Sequence, residues 1–221
     1  MNKPGIMQNL SLGRELMEEE MDAKVLQMWS RKEINSSRFY LTGYEPILFN
    51  KSKDFALESV LASVIPWDKE LLILNPEGME HTHEIDNLHP EAVVHTLSHD
   101  DVRTMESLIS SRRSVAYLLI NQPEELASDL NLLDRILSLV RRNRMTLIVN
   151  CDKTARGIND IFMGAIDFMI GSLDDMRSFV MARRSKLVGI EGNSRKLNLD
   201  LHAFWQLCLR KRNAIIEPMV S

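Results

Sequence analysis

The chain is 221 residues long, 44% hydrophobic and 26% charged, with a formal net charge of −4. This is the make-up of a globular protein with room for one substantial core, and its sign argues against a surface built throughout to hold a phosphate backbone. Cys151 and Cys208 imply no disulfide framework, no apolar stretch approaches the roughly 18 residues of a membrane span, and the first 13 residues lack the features of a secretion signal, so a cytoplasmic protein without nucleic-acid or membrane partners is expected.

Residues 1–50 read as an N-terminal region, an arm carrying Pro4, Gly5 and Gly13 and then a helix over 14–32. Leu16, Met17, Met21, Val25, Leu26 and Trp29 recur at helical spacing there, with Glu18, Glu19 and Glu20 on the wet face. An α/β core is expected over 51–190. It opens, after a short extended piece at 46–50, with a helix over 53–65 that Pro66 must end. Strands follow at 70–75 and 92–97, then a helix over 100–109 with Ser98 or Asp100 available to cap its open amides. Val115–Ile120 is apolar and β-favouring, and 126–140 is amphipathic, closed by the cations of Arg141–Arg144 beside the carbonyl end of the helix dipole.

Thr146–Asn150 (TLIVN) and Asp167–Ile170 (DFMI) read as two further buried strands, with a short helix over 158–163 between them. Ser172 and Asp175 then look like the start of a helix, while Phe179, Val180 and Met181 suit either a helix or a strand. The remainder, 191–221, is a helical extension centred on 197–212. Strands of nearly continuous apolar character separated by helices imply a three-layer α/β/α arrangement around a mainly parallel sheet, and ligands bind such sheets beyond the carboxyl ends of the strands.

Beyond its framework the chain resembles a family. TLIVNCDKTARG (146–157) followed by MGAIDFMIGSLDD (163–175), with FALESVL (55–61) and LLILN (71–75), resembles the large domain of fold-type I pyridoxal-phosphate enzymes, the class V aminotransferases and cystathionine-lyase relatives among them. The resemblance spans about two thirds of the chain. It places the family's pyridine-facing aspartate at Asn150, its Schiff-base lysine at Asp175, and its phosphate loop at Lys51, Ser52 and Lys53, with Ser172 in the serine-rich loop. An amide cannot make the charge-assisted bond that holds a pyridinium, a carboxylate cannot form an imine, and the loop has lost its glycines. These departures imply a shortened, degenerate relative that uses no cofactor and acts as a homodimer or within a hetero-complex. The alternatives are a transaminase or lyase in which Lys153 or Lys186 reaches pyridoxal phosphate, and a small-ligand-binding α/β protein.

Other clusters carry less. His81, His83, Asp86 and His89 could surround a metal ion, but the polar, proline-ended segment reads as a surface loop, and no metal site is expected. His95 and His99 stand four apart as a possible acid–base pair, and Cys151 reads as a buried structural thiol.

Overall fold

The computed structural model describes residues 43–76, 93–126, 129–151, 164–194 and 197–216. The helices expected at 14–32 and 158–163 and the histidine cluster at 81–89 lie outside the described residues. What is described is an α/β fold with a largely parallel sheet and flanking helices, as the sequence leads one to expect. It gathers into two compact units, one of residues 64–173 and one formed by the chain up to 63 together with 174–221.

The 64–173 unit holds five parallel strands. They are β2 (Glu70–Asn75), β3 (Val93–Ser98), β4 (Val115–Asn121), β5 (Thr146–Asn150) and β6 (Phe168–Asp174), hydrogen-bonded in the order β6-β5-β4-β2-β3. Leu118, Leu119 and Ile120 of β4 and Leu147, Ile148 and Val149 of β5 are all fully buried. That is why these strands read as unbroken apolar runs: both faces are covered, so no polar alternation survives. Helix α2 (Val102–Ser111) buries Val102, Met105 and Ile109. Helix α4 (Leu130–Arg142) buries a stripe from Leu133 to Val140 and packs beside α2.

Two helix starts differ from the sequence reading. The helix expected over 100–109 begins at Val102; its flanking residue is Asp101, whose carboxylate is engaged by the Thr104 hydroxyl at 2.6 Å rather than by a backbone amide. The helix expected over 126–140 is broken into α3 (Pro123–Leu126) and α4. Asp129 causes the restart, its Oδ1 accepting the amides of Asn131 and Leu132 at 3.1 and 3.0 Å, and so satisfying two of the open donors of a new first turn. At the far end the Arg144 N–H reaches the Arg141 carbonyl and the Met145 N–H the Val140 carbonyl, the crossed pair of a Schellman stop. Arg144 itself holds φ +52°, a region that suits glycine better than arginine.

In the other unit, β1 (Tyr44–Phe49) pairs antiparallel with β7 (Arg177–Arg183), Tyr44 facing Arg183, whose guanidinium lies over the phenol ring. Pro46 sits in β1 and lacks an amide to donate, a residue suited to an edge strand. Helix α1 (Lys53–Val64) and the terminal α6 (Leu201–Ile216) are joined through Ser63, whose hydroxyl donates to the Leu199 carbonyl and accepts the Leu201 amide, both at 3.0 Å. Phe49, Phe55 and Phe204 stack edge to face around this joint. A short helix α5 (Arg184–Gly189) follows β7, and a 3₁₀ turn (Leu197–Leu199) precedes α6, so the helix expected over 197–212 starts four residues later.

The helix start expected at Ser172 is corrected. Ser172 lies within β6, and the chain reverses into β7 after only Asp175 and Met176. The Asp174 carboxylate holds that turn, accepting the Met176 amide at 3.0 Å and pairing with the Arg177 guanidinium; these bonds keep the Asp174 carboxyl below the usual carboxylate range, with Arg177 the main cause.

Candidate functional site

The carboxyl ends of β2, β4 and β5 carry one asparagine each. Asn121 stands opposite Asn150 in the β4–β5 register, and Asn75 ends β2 beside them. Residues at one register position share a face of the sheet, so the three amides meet. The Asn150 Nδ2 donates to the Asn121 Oδ1 at 2.8 Å, and the Asn121 Nδ2 donates to the Asn75 Oδ1 at 2.7 Å. Asn75 and Asn121 are buried. At the end of this row the Asn150 Oδ1 is buried and has no hydrogen-bond partner among the described residues, an acceptor withdrawn from water with nothing among them to offset its desolvation.

The backbone reinforces the edge. The His99 amide donates to the Asn75 carbonyl at 2.8 Å, the His99 Nε2 lies 2.9 Å from the Asn121 carbonyl oxygen, and the Gln122 amide donates to the Asn150 carbonyl at 2.9 Å. Gln122, directly after Asn121 and before Pro123, is held at φ +49°, a strained conformation of the sort that persists where surrounding bonds over-determine it. Cys151 is fully buried, its amide on the Ile170 carbonyl.

A second polar cluster lies at the amino ends of β2 and β4, joined by His95 of β3. Glu70 accepts the Ser114 hydroxyl on Oε1 at 2.5 Å, while its Oε2 faces the His95 Nε2 at 2.5 Å and the Arg112 guanidinium at 3.5 Å. The Ser114 hydroxyl, then His95 and Arg112, hold the Glu70 carboxyl below its usual range. Because Ser114 bonds the carboxylate and not the imidazole, the cluster is not a nucleophile with its base. It also separates the expected histidine pair: His95, within β3, is committed to Glu70, and His99, in the turn after β3, to Asn121.

The remaining positions singled out by the resemblance fall as follows. Ser52 starts α1, its Oγ accepting the Phe55 amide at 3.4 Å, and the Lys51 and Ser52 carbonyls both receive the Ser178 hydroxyl. Lys51, Ser52 and Lys53 belong to the unit that holds β1 and β7; Asn150 and Ser172 belong to the 64–173 unit, Ser172 two residues beyond the Ile170 that faces Asn150. Asp175 occupies the two-residue turn. Among the described residues no group of acidic, histidine or cysteine side chains is arranged to hold a metal ion, and no helix is long and apolar enough to cross a membrane.

The resemblance includes Asn75 only as the end of LLILN and gives neither it nor Asn121 a site role. Their signal is a repeat: LLILN, YLLIN and TLIVN are three apolar runs that each end in asparagine.

No family model matches the chain. It is 29% identical over 176 residues to the 2-aminoethylphosphonate–pyruvate transaminase of Salmonella typhimurium, an alignment covering 74% of this chain and 48% of that protein. Its fold is similar to alanine–glyoxylate aminotransferase from Nostoc sp., with a TM-score of 0.57 at 14% identity over 76% of this chain and 48% of that one. It is also similar to the S. paucimobilis serine palmitoyltransferase solved with bound PLP, with a TM-score of 0.52 at 16% identity over 79% of this chain and 50% of that one. The likenesses point to the fold-type I pyridoxal-phosphate aminotransferase superfamily. This chain spans about half the length of the curated relatives it matches. The expectation of a protein without a cofactor is thereby corrected, since the relatives it aligns with are transaminases.

Proposed function

We propose that this chain is a pyridoxal-phosphate-associating protein of the aminotransferase type, with the ring of the cofactor at the Asn75–Asn121–Asn150 edge and amino-group transfer as its reaction class. The observation that carries the reading is the buried Asn150 Oδ1, unpartnered among the described residues, at the carboxyl end of a central parallel strand, where open α/β folds take their ligands. A ring N–H fits that acceptor. When bound, pyridoxal phosphate supplies an electron-withdrawing ring and an aldehyde that condenses with amines. The chain's contribution at this edge is to fix the amide that meets the ring and to keep water from it. In this reading the amine partner is a lysine other than position 175, with Lys153, three residues after Asn150, the first candidate in chain order.

A second reading, a cofactor held without turnover by a protein that works in an assembly with itself or a partner, is favoured by one feature. Between Asp174 and Arg177 the turn offers a carboxylate and a methionine and no amine.

The test is a pyridoxal-phosphate titration followed by absorption, then borohydride reduction, intact mass and peptide mapping, with an assay of keto-acid formation from amino donors. A saturable spectral change, one cofactor-sized mass increment on a single lysine, and turnover are expected from the first reading. Saturable binding with no reducible adduct and no turnover supports the second. Absence of saturable binding refutes both.

A further inference from the structure

We propose that the amino ends of β2, β4 and β5 form a docking surface for an acidic segment of a partner protein, with Trp67 as its apolar anchor and Arg113, Arg141, Arg142 and Arg144 as its cations. The surface lies at the opposite end of these strands from the asparagine row, so the inference does not depend on cofactor binding.

The juxtaposition follows from the register. β2, β4 and β5 are neighbours in the sheet, and α2 and α4 run back along it to deliver the chain to the starts of β4 and β5. Arg113 stands two residues before Val115 and Arg144 two residues before Thr146, on paired strands about 4.8 Å apart. Arg141 and Arg142 close the last turn of α4. Trp67 joins them through the turn ahead of β2. The Lys69 amide donates to the Pro66 carbonyl at 3.2 Å, and the Glu70 amide donates to the Ser114 carbonyl at 2.9 Å, which ties that turn to the residue after Arg113.

Three observations set this surface apart from a solvated helix end. The four arginines are exposed, and none has an ion-pair partner among the described residues. The neighbouring carboxylates are already engaged, Asp68 by Lys69 and Glu70 by His95 and Arg112. Secondly, Arg144 lies beyond the end of α4 and holds φ +52°, where glycine would be free of strain. No ion pair or hydrogen bond of its side chain within the described residues offsets that cost, and strain of this kind clusters at functional sites. Thirdly, the Trp67 side chain is 71% exposed. Tryptophan and arginine are the residues on which binding energy at protein interfaces concentrates.

Carboxylates suit this set better than a phosphate backbone does. A guanidinium takes a carboxylate through two parallel hydrogen bonds, and an acidic segment of a few residues stays within the patch. A nucleic acid would run on past it along the surface of a chain whose net charge is −4.

The experiment uses the full chain and a short fluorescein-labelled peptide of Asp and Glu with one central leucine, read by anisotropy. The same peptide with Asn and Gln in place of its acids is the control, and a labelled oligouridylate represents nucleic acid. We expect saturable binding of the acidic peptide that weakens about tenfold between low and high salt, with no binding of the amide control and weaker binding of the oligouridylate. Arg141→Glu combined with Arg144→Glu should weaken peptide binding at least about tenfold, and Trp67→Ala about tenfold. Arg144→Gly separates binding from folding, since it should melt higher than the wild type and still bind more weakly. A readout that needs no variant is phenylglyoxal modification with peptide mapping. The bound peptide should protect Arg113, Arg141, Arg142 and Arg144 and leave Arg103, exposed in the first turn of α2, as reactive as before. Tighter binding of the oligouridylate than of the peptide overturns the protein partner in favour of a nucleic acid. Absence of saturable peptide binding, or protection of Arg103 equal to that of the four, overturns the surface itself.

Discussion

Asn121→Ala removes the middle amide of the edge and should cost about 3 kcal/mol of stability. Two hydrogen bonds, of 2.7 and 2.8 Å, disappear with the side chain. Their net worth is roughly 1 kcal/mol each, and a buried polar atom left without its partner adds a penalty of about 1–3 kcal/mol. The Asn75 Oδ1 bears most of that penalty, since Asn75 is only 3% exposed; the Asn150 Nδ2 is half-buried and loses less. The His99 contact is to the Asn121 backbone carbonyl, so it survives the change and does not enter the sum. Urea unfolding followed by circular dichroism should show the midpoint falling by about 1.5 M, for a slope near 2 kcal/mol per molar, with the slope itself unchanged. The decisive control is the double variant. Asn75→Ala strands the Asn121 Nδ2 and should itself cost about 2 kcal/mol, but with both residues removed neither member of that pair is left unmet and only the Asn150 Nδ2 lacks its partner. The double variant should thus lose about 1–2 kcal/mol less than the sum of the single losses. Two small, strictly additive losses would show that water satisfies this edge and that the amides act independently, and the reasoning from orphaned polar atoms would fail.

Three other outcomes follow from the fold. Arg144→Gly, at φ +52° in the stop of α4, should stabilise the protein by up to about 1 kcal/mol, seen as a melting temperature some 2–4 °C higher; a fall would mean that the arginine side chain is worth more than its strain. Ser63→Ala should cost about 1–3 kcal/mol, because the hydroxyl serves both the Leu199 carbonyl and the Leu201 amide in a buried setting, and it should speed hydrogen exchange at Leu201 above all other α6 amides. Glu70, whose carboxyl is held down by Ser114 and His95, has a folded pKa below its unfolded one. Its contribution is therefore complete above the unfolded carboxylate pKa and fades as pH falls through the folded value, so Glu70→Gln should flatten the loss of stability below about pH 4.5. A wild-type slope retained in that variant would assign the acid sensitivity elsewhere.

How much of this could be read from the chain depends on where its information lies. The strands 70–75 and 146–150 match the expected limits because continuous Leu, Ile and Val runs have no alternative use inside an α/β core. Asn150 was marked out by its place at a strand end. The restart of α4 at Asp129 was missed because Leu126 and Leu130 keep a helical spacing across a break that one carboxylate imposes. Ser172 misled for the opposite reason: serine followed by aspartates is the pattern of a helix start, but here Asp174 uses its oxygens to close a reverse turn. The amide chain needed the register itself. Its three members lie 46 and 29 residues apart, and only the pairing of β2, β4 and β5 puts them in one row.

The pairing of β1 with β7 has a consequence for how the protein is made. Tyr44 finds its partner Arg183 about 140 residues later, after every strand of the 64–173 unit has left the ribosome. Those strands neighbour one another in the chain and can begin to pair while synthesis continues, but Ile47, Leu48 and Phe49, all buried in the finished fold, must wait. Through that interval the nascent chain carries an apolar strand with an open edge, the kind of segment on which chaperones act and from which aggregates start. Closing so long a loop is slow compared with local pairing. A late step of maturation is thus set at the chain's first described strand, and conditions that slow β7 should be felt as loss of yield before any loss of stability.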